Sequence, residues 1–447
     1  MGRLFGTDGA RGIANTELTC ELAMNIGRAA AYVLSRHSIA KPRVLIGMDT
    51  RISSQMLESA LSAGLCSVGC DVVLAGVVPT PATAFLIKAL GCSAGIMISA
   101  SHNPCEYNGI KLFDKDGFKL PDAIEEEIEA IVLDGAVQLP VPSGGDLGRI
   151  TVAEQALDIY IRHIQQTTDV RFDGLTVALD CANGSASATA QRLFSELGAD
   201  CRMLSDRPDG VNINDHCGST HLESLSAYVK THHCDLGLAF DGDADRCLAV
   251  DAQGNVVDGD QIIAIIASSL KQEGRLKNNT AVMTVMSNLG FFVFAKEQGI
   301  RVLTTKVGDR YVLEEMKKGG HCIGGEQSGH IIFLEYASTG DGQLSGVQLL
   351  RILKKTGKSL RELAQTMTKY PQVLVNVHTT NEVKQSYESN PQVAQIIRQV
   401  EQQLGEDGRV LVRPSGTEPL IRVMLEGKDQ QQIAVFAEQI ADVIRTL

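Results

Sequence analysis

The sequence predicts an α/β protein of consecutive units, ending in a small α+β domain. Two observations support this: helix-like and apolar strand-like segments alternate through most of the chain, and alternating apolar and polar residues begin near Tyr370. The 447 residues, 44% hydrophobic and 21% charged, are enough for about three domains, or four smaller ones.

The first unit shows a regular rhythm of strands and helices. Helical spacing is present in CELAMNIGRAAAYVLSRH and SSQMLESALSAGLCSVGC, and strand-like runs are PRVLIGMDTR, DVVLAGVVPTPAT and AGIMISASHNP. This rhythm is typical of parallel α/β units, whose functional loops lie at the carboxyl ends of strands. Asp49–Arg51 and Ser101 both follow such strands.

Changes in composition mark the boundaries between units. VQLPVPSGGDLG is rich in Pro and Gly, a second unit opens at LTVALDCANGSAS, and a third begins near Asp258. We therefore predict domains at 1–150, 151–255, 256–369 and 370–447. The three α/β units are candidates for structural repeats, although no repeat is legible in the sequence. The polar linker TTNEVKQSYESNPQVAQ is expected to be mobile or helical at its end.

The overall charge excludes several partners. A net charge of −12 without a long basic run argues against nucleic acid and anionic membranes. No apolar stretch is long enough to span a bilayer, and Arg3, Asp8 and Arg11 stand where a signal peptide would be apolar. The 11 scattered cysteines, including Cys217 and Cys234 beside histidines, lack paired zinc-ligand spacing. We expect a soluble cytoplasmic protein.

The segment AFDGDADR predicts a metal site. Asp241, Asp243 and Asp245 alternate after an apolar strand and would repel one another unless a hard cation such as Mg²⁺ lay between them. An EF-hand is excluded, because its Gly and Glu positions are taken by Arg246 and Ala252. A solvated acidic loop is the alternative.

Ser101 is a candidate nucleophile. His102 and Lys111 lie nearby in ISASHNPCEYNGIKLF and can both move protons. The G-x-S-x-G elbow of α/β-hydrolases is absent. A serine that acts on phosphate needs cations and a metal instead. The alternative is an ordinary turn hydroxyl.

Two further loops suit a phosphate and a sugar. RPSGTEPLIR predicts a phosphate cradle made of hydroxyls, backbone N–H groups and guanidinium forks: Arg413, Ser415, Gly416, Thr417 and Arg422. A hairpin turn with incidental charges is the alternative there. Glu326 and Ser328 in GGEQSGH suit vicinal sugar hydroxyls, while FGTDGARG and KVGDRYV, the latter with Gly308 and Asp309, are polar glycine loops. No Walker loop is present, so ATP use is not expected.

Taken together, SASHNP with NGIK, DGDADR, GGEQSGH and RPSGTEP resemble the four signature loops of the α-D-phosphohexomutase family, in that family's order. The resemblance covers the whole chain. It implies three topologically similar α/β domains with mixed sheets and a smaller α+β C-terminal domain around a central cleft. It also implies a phosphoserine at Ser101, one Mg²⁺ per chain held by that group and the three aspartates, and a homodimer.

The finer resemblance implies the reaction. Glucosamine 6-phosphate and glucosamine 1-phosphate would interconvert through a 1,6-bisphosphate of glucosamine or glucose, supplying UDP-N-acetylglucosamine for the cell wall. Arg11 and Arg246 would offset phosphate charge, and either His102 or Lys111 would exchange the sugar proton. The phosphate loop would grip the phosphate that is not reacting, Glu326 and Ser328 would hold ring hydroxyls, and the C-terminal domain would act as a lid.

Three other functions stay open at this point. A mutase of the same fold acting on glucose or mannose phosphates differs only at the C2 substituent of its substrate. A metal-dependent sugar phosphatase would use Ser101 as a transient acceptor. A sugar-phosphate sensor would need no reactive serine at all.

Overall fold

The computed structural model describes residues 2–6, 8–35, 41–415 and 419–447. Its contacts divide the chain into two compact units: Met1–Met286 with Ile300–Thr366, and Ser287–Gly299 with Met367–Leu447. The four domains predicted from sequence are a finer division, and their boundaries stay a prediction. Within the described residues, every helix is too short or too polar to cross a membrane.

The first sheet has six strands in the order β1-β5-β4-β2-β3-β6. Its strands are β1 (Ala10–Ile13), β2 (Arg43–Met48), β3 (Asp71–Val77), β4 (Ala94–Ile98), β5 (Tyr107–Phe113) and β6 (Ile150–Val152). The accompanying helices are α1 (Cys20–Ser35), α2 (Ile52–Ser67), α3 (Thr80–Ala89) and α4 (Asp122–Asp134). All five residues of β4 are buried, as its continuous apolar run predicts for a central strand.

The second sheet has the order β11-β10-β9-β7-β8. Its elements are α5 (Ala156–Gln165), β7 (Thr176–Asp180), α6 (Ala190–Glu196), β8 (Asp200–Leu204), α7 (Glu223–Thr231), β9 (Leu236–Phe240), β10 (Cys247–Asp251) and β11 (Val256–Val257).

The third sheet has the order β13-β12-β14-β15. The elements in this part of the chain are α8 (Gly259–Gln272), β12 (Thr280–Thr284), α9 (Leu289–Gln298), β13 (Arg301–Thr305), α10 (Asp309–Gly319), β14 (Ile323–Gly325), β15 (Ile331–Phe333), α11 (Gly342–Thr356) and α12 (Leu360–Ala364). Helix α9 belongs to the second compact unit.

The three sheets repeat one topology. Each has three parallel strands followed by an antiparallel one: β3-β2-β4 then β5, β8-β7-β9 then β10, and β13-β12-β14 then β15. The loop that joins the last parallel strand to the antiparallel strand carries Ser101 in the first sheet, Asp241 in the second and Glu326 in the third. The prediction of three mixed, topologically similar α/β domains is therefore confirmed, and the repeat explains why the three signature loops follow strands.

The second compact unit is built on a small antiparallel sheet, β16-β18-β17. Its strands are β16 (Gln372–His378), β17 (Gly408–Pro414) and β18 (Leu420–Gly427), and its other helices are α13 (Asn381–Ser386), α14 (Pro391–Leu404) and α15 (Gln430–Arg445). Ile433, Phe436, Ile440 and Ile444 line the buried face of α15 at helical spacing. This part is the predicted α+β domain, and the polar linker forms α13 and the start of α14.

Candidate active site

Ser101 lies in the loop between β4 and β5, directly beside the acidic loop between β9 and β10. Its side chain is 1% exposed, and its Oγ donates a hydrogen bond of 2.6 Å to Asp241 Oδ2. The Oγ also lies 3.4 Å from His102 Nδ1. Two segments that are 140 residues apart in sequence thus place a hydroxyl against a carboxylate.

The three aspartates form one buried cluster. One carboxylate oxygen from each of Asp241, Asp243 and Asp245 lies within 4.8 Å of the others. Burial and the charges of Asp245 and Asp243 raise the pKa of Asp241 well above its usual range. The Oδ1 atoms of Asp243 and Asp245 are buried and accept no hydrogen bond from any described residue. Free carboxylate oxygens around a small space fit a hard divalent cation, so this cluster could hold a metal ion.

Lys111 neutralises part of this cluster. Its Nζ lies 2.7 Å from Asp243 Oδ2, 3.1 Å from Asp8 Oδ2 and 3.9 Å from Asp245 Oδ2, and the side chain is 1% exposed. Burial by itself would lower the pKa of Lys111, but the three carboxylates raise it above its ordinary value. Thr80 Oγ1 also donates to Asp243 Oδ2 at 2.6 Å. Lys111 is therefore a fixed cation in this site.

His102 has the opposite electrostatic character. Burial, together with the positive charges of Arg246 and Arg11, lowers its pKa to about 4. The imidazole is therefore neutral near pH 7 and has a nitrogen that can accept a proton. Of the two predicted proton carriers, His102 is the one in the right protonation state to act as a base.

A series of polar and charged side chains extends from this cluster to Asp309, the first residue of α10. Arg11 forms an ion pair with Asp8, and Lys119 Nζ lies 2.5 Å from Asp8 Oδ1 and 2.6 Å from Asp309 Oδ2. His330 Nε2 lies 3.6 Å from Asp309 Oδ2. Asp8, Lys119 and His330 were not among the site residues predicted from sequence. Asp8 and His330 stand inside two of the predicted glycine loops, whereas Lys119 carries no local signal.

The predicted sugar loop lies beside the predicted KVGDRYV loop. The Gly308 N–H donates to Glu326 Oε1 at 3.0 Å, and Ser328 is exposed. Gly308 has a φ of +127°, a conformation that a residue with a β-carbon rarely adopts. Arg246 forms an isolated β-bridge with His330, which connects the acidic loop to the Glu326 loop. The loops of all three repeats are thus in contact.

The predicted phosphate loop lies in the second compact unit. Arg413 on β17 stands directly opposite Arg422 on β18, and the Ser415 N–H donates to Leu420 O at 2.9 Å. Burial and the charge of Arg422 lower the pKa of Arg413. Like charges opposite each other destabilise a sheet unless an anion lies between them. The other two predicted members, Gly416 and Thr417, fall outside the described residues.

Comparison with known proteins identifies the family. Four family models match successive parts of the chain: "Phosphoglucomutase/phosphomannomutase, alpha/beta/alpha domain I" at 2–137, domain II at 158–254, domain III at 258–370 and the C-terminal domain at 374–443. The chain belongs to the phosphoglucomutase/phosphomannomutase family. The resemblance to α-D-phosphohexomutases seen in the sequence is thereby confirmed.

Individual relatives agree with this assignment. The phosphoglucosamine mutase of Clostridium novyi (strain NT) is 54% identical over 444 residues, which cover 99% of each chain. A phosphoglucomutase/phosphomannomutase family protein from Burkholderia thailandensis has the same fold, with a TM-score of 0.83 at 23% identity, over 100% of this chain and 98% of that one. The N-acetylphosphoglucosamine mutase of Aspergillus fumigatus, solved in complex with GlcNAc-6P and magnesium, has a TM-score of 0.67 at 17% identity, over 100% and 96%.

Proposed function

We propose that this chain catalyses the phosphoglucosamine mutase reaction, the interconversion of glucosamine 6-phosphate and glucosamine 1-phosphate. The observation that supports it most is the hydrogen bond of 2.6 Å from Ser101 Oγ to Asp241 in a buried three-aspartate cluster. This site lies in a chain that is 54% identical, over 99% of its length, to a phosphoglucosamine mutase. The fold alone would leave the hexose open.

The proposed reaction has two phosphoryl transfers. In the first, the bond between phosphorus and Ser101 Oγ breaks, a bond to the oxygen of the free sugar hydroxyl forms, and the proton of that hydroxyl passes by way of a base to Ser101 Oγ. The product is a 1,6-bisphosphate. After the bisphosphate turns around, its other phosphoryl group bonds to Ser101 Oγ, and the proton that Ser101 gives up passes by way of the same base to the sugar oxygen that the phosphoryl group leaves. Both steps balance, so the net change is isomerisation.

Charge neutralisation is the protein's main contribution to such a transfer. Asp241, Asp243 and Asp245, with the phosphate on Ser101, would hold one Mg²⁺, which would draw negative charge from the phosphoryl group. Lys111 keeps Asp243 ionised, since Lys111 lowers the pKa of that buried carboxyl far below its usual range. Arg11 and Arg246 add positive charge to the same pocket.

His102 is the proposed base for the sugar hydroxyl. Its pKa of about 4 applies to unphosphorylated Ser101 and follows from burial and the charges of Arg246 and Arg11. A phosphate on Ser101 would neutralise part of that positive charge and raise the pKa of His102, which strengthens the base when it is needed. Lys111, already protonated, would stabilise the departing oxygen.

The substrate would be held at both ends. Glu326 and Ser328 would bind ring hydroxyls in either orientation, beside Gly308 and Asp309. The remaining phosphate would lie on the C-terminal loop: Arg413, Ser415, Gly416, Thr417 and Arg422. A homodimer and a cytoplasmic location complete the proposal, and light scattering on the purified chain tests the first of these.

Three measurements test the proposed function. The purified chain should turn over glucosamine 1-phosphate at least tenfold faster than glucose 1-phosphate, and an equal or inverted preference would contradict the substrate assignment. Intact-mass analysis should find one phosphate on Ser101 after incubation with glucose 1,6-bisphosphate and Mg²⁺. Ser101→Ala should lower activity to background, while the exposed control Ser195→Ala should not. Net release of phosphate would indicate a phosphatase instead.

A further inference from the structure

Arg51 is a buried arginine that is surrounded by the loop between β4 and β5, which carries Ser101 and is called the nucleophile loop below. It follows β2 and is only 2% exposed. Its Nε donates to Asp49 Oδ2 at 2.8 Å. Its two terminal nitrogens donate to four main-chain carbonyls: those of Ser101, Asn103 and Pro104 in the loop between β4 and β5, and that of Tyr107 at the start of β5. The loop is therefore wrapped around a single guanidinium group.

These hydrogen bonds hold Ser101 in an unfavourable backbone conformation. Ser101 has a φ of +52°, in the left-handed region where a residue with a β-carbon is destabilised. Such a conformation persists only when its surroundings hold it. The Ser101 carbonyl accepts from Arg51 Nη2 at 3.0 Å, and the Ser101 N–H donates to Ser99 Oγ at 2.9 Å. Ser99 Oγ in turn donates to Asp49 Oδ2 at 2.6 Å, so the pair of Asp49 and Arg51 holds both sides of the serine.

A residue of the second repeat completes the clamp. Asn214 Nδ2 donates to the carbonyls of Ser101 at 2.9 Å and Asn103 at 3.0 Å. On the acidic loop, a β-carbon built on Gly242 would lie 2.5 Å from the Ser101 carbonyl oxygen. The serine loop therefore lies tightly between Arg51 and the acidic loop, and a shift in its backbone would move the Oγ relative to Asp241.

We propose that Arg51, with Asp49 and Asn214, is a positioning residue that holds Ser101 in its left-handed conformation and so directs the Oγ towards the aspartate cluster. In its catalytic consequence this inference rests on the proposed function, because only phosphoryl transfer through Ser101 makes the direction of Oγ matter. Among the described residues, the hydrogen bonds of the Arg51 side chain go to Asp49 and to main-chain carbonyls, and none goes to a group assigned to the substrate. Its loss should therefore slow the transfer without weakening substrate binding.

The test compares the kcat and KM of Arg51→Lys with those of the same substitution at another buried arginine, Arg351. Lysine keeps the charge and its reach to Asp49 but cannot donate to four carbonyls at once. Arg351, which is 6% exposed and bound to Asp169 and Glu273, is distant from the nucleophile loop in sequence, and Arg351→Lys removes a similar fork. We expect Arg51→Lys to lower kcat at least 100-fold with KM within threefold, and to slow phosphorylation of Ser101 by glucose 1,6-bisphosphate. Arg351→Lys, at a comparable loss of Tm, should keep kcat within threefold.

A second variant and crystal structures distinguish this inference from simple misfolding and from failure of the proposed function. Asn214→Asp keeps the side-chain shape but removes the donor to Ser101, and we expect at least a tenfold loss in kcat with KM unchanged. Crystal structures of wild type and Arg51→Lys should show Ser101 leaving the left-handed region in the variant. If Ser101 keeps its φ and its contact with Asp241 in Arg51→Lys, the inference is wrong whatever the enzyme's substrate. It is also wrong if kcat falls equally in Arg51→Lys and Arg351→Lys.

Discussion

The aspartate cluster should lower the stability of the protein while no metal is bound. We predict that Asp241→Asn stabilises the metal-free protein and at the same time removes its activity. The carboxylate oxygens of Asp241, Asp243 and Asp245 lie within 4.8 Å of one another. At an effective dielectric constant of about 20, two ionised groups at that distance repel by about 3.5 kcal/mol.

The net gain should be smaller than this repulsion. Lys111 already offsets Asp243, at 2.7 Å, and the raised pKa of Asp241 means that protonation relieves part of the strain. Asparagine keeps an oxygen that can accept from Ser101 Oγ or from the Arg246 N–H, which are the present partners of Asp241. We therefore expect ~1–2 kcal/mol of stabilisation, which for a chain of this length is a rise in Tm of ~1–2 °C.

With metal bound, wild type should become more stable than Asp241→Asn, which is the reverse of the order expected without metal. A ligand at 100 times its Kd stabilises the form that binds it by about 2.7 kcal/mol, and the variant with one carboxylate fewer should gain less. The assay is thermal unfolding of wild type and Asp241→Asn, in EDTA and in a Mg²⁺ titration. The control is Asp251→Asn. Asp251 accepts from the Gln253 and Asn255 N–H groups with Oδ1 and from Asn255 Nδ2 with Oδ2, and because an amide can accept at only one of these positions, the substitution should lower Tm in both conditions.

The pH dependence has a definite sign. A carboxyl group whose pKa is raised by folding makes the folded protein bind its proton more tightly, so wild type gains stability relative to Asp241→Asn as pH falls. The advantage of the variant in EDTA should be present at neutral pH and vanish below about pH 4, the range of an unfolded carboxyl. If Asp241→Asn is less stable than wild type in EDTA at pH 7, the cluster is not a site of repulsion, and its charges do not require a metal ion.

Three other predictions follow from single side chains. An NMR titration should give His102 a pKa of about 4 when Ser101 is unphosphorylated, and a higher one after phosphorylation, because the phosphate offsets nearby arginines. Lys119→Met should destabilise the protein by about 3 kcal/mol in chemical denaturation, because it removes the cation that Asp8 and Asp309 share; Asp8 keeps Arg11 and Lys111, whereas Asp309 keeps only its contact with His330 among the described residues. Arg413→Gln should raise KM about tenfold in steady-state kinetics without lowering Tm, because it removes a proposed phosphate ligand and also a cross-strand repulsion.

Each of these has its own control or contrary outcome. An unphosphorylated His102 that titrates near its ordinary value of 6.5 would contradict the proposed electrostatics. Lys115→Met, at a side chain that is 73% exposed, should leave stability unchanged, and an equal loss in both lysine variants would argue against the buried network. Arg398→Gln, at an exposed arginine on α14, should leave KM unchanged; a matching rise there would rule out a specific phosphate site.

The tertiary contacts group one segment with a part of the protein that is distant from it in the sequence. Ser287–Gly299 follows a strand of the third sheet, and its sequence offers no reason to separate it from its neighbours. Its contacts nevertheless group it with the C-terminal unit. Buried Glu426 accepts from Asn288 Nδ2 at 3.1 Å and from the Leu289 N–H at 3.0 Å, so a carboxylate on β18 holds the start of α9.

The amino-acid sequence by itself determined the fold class and the local chemistry of the site. Apolar runs, glycine loops and the spacing of Asp241, Asp243 and Asp245 are short-range patterns, which depend only on residues near one another in the chain. Only the tertiary structure decided which charges meet. Lys119 forms ion pairs with Asp8, which is 111 positions away in the sequence, and with Asp309, which is 190 positions away. Arg51 donates to carbonyls about 50 positions further along the chain. Neither set of contacts can be predicted from the residues next to Lys119 or Arg51 in the sequence. Such pairings arise when three repeated sheets bring their loops together, and the geometry of that meeting sets the protonation states of Lys111 and His102.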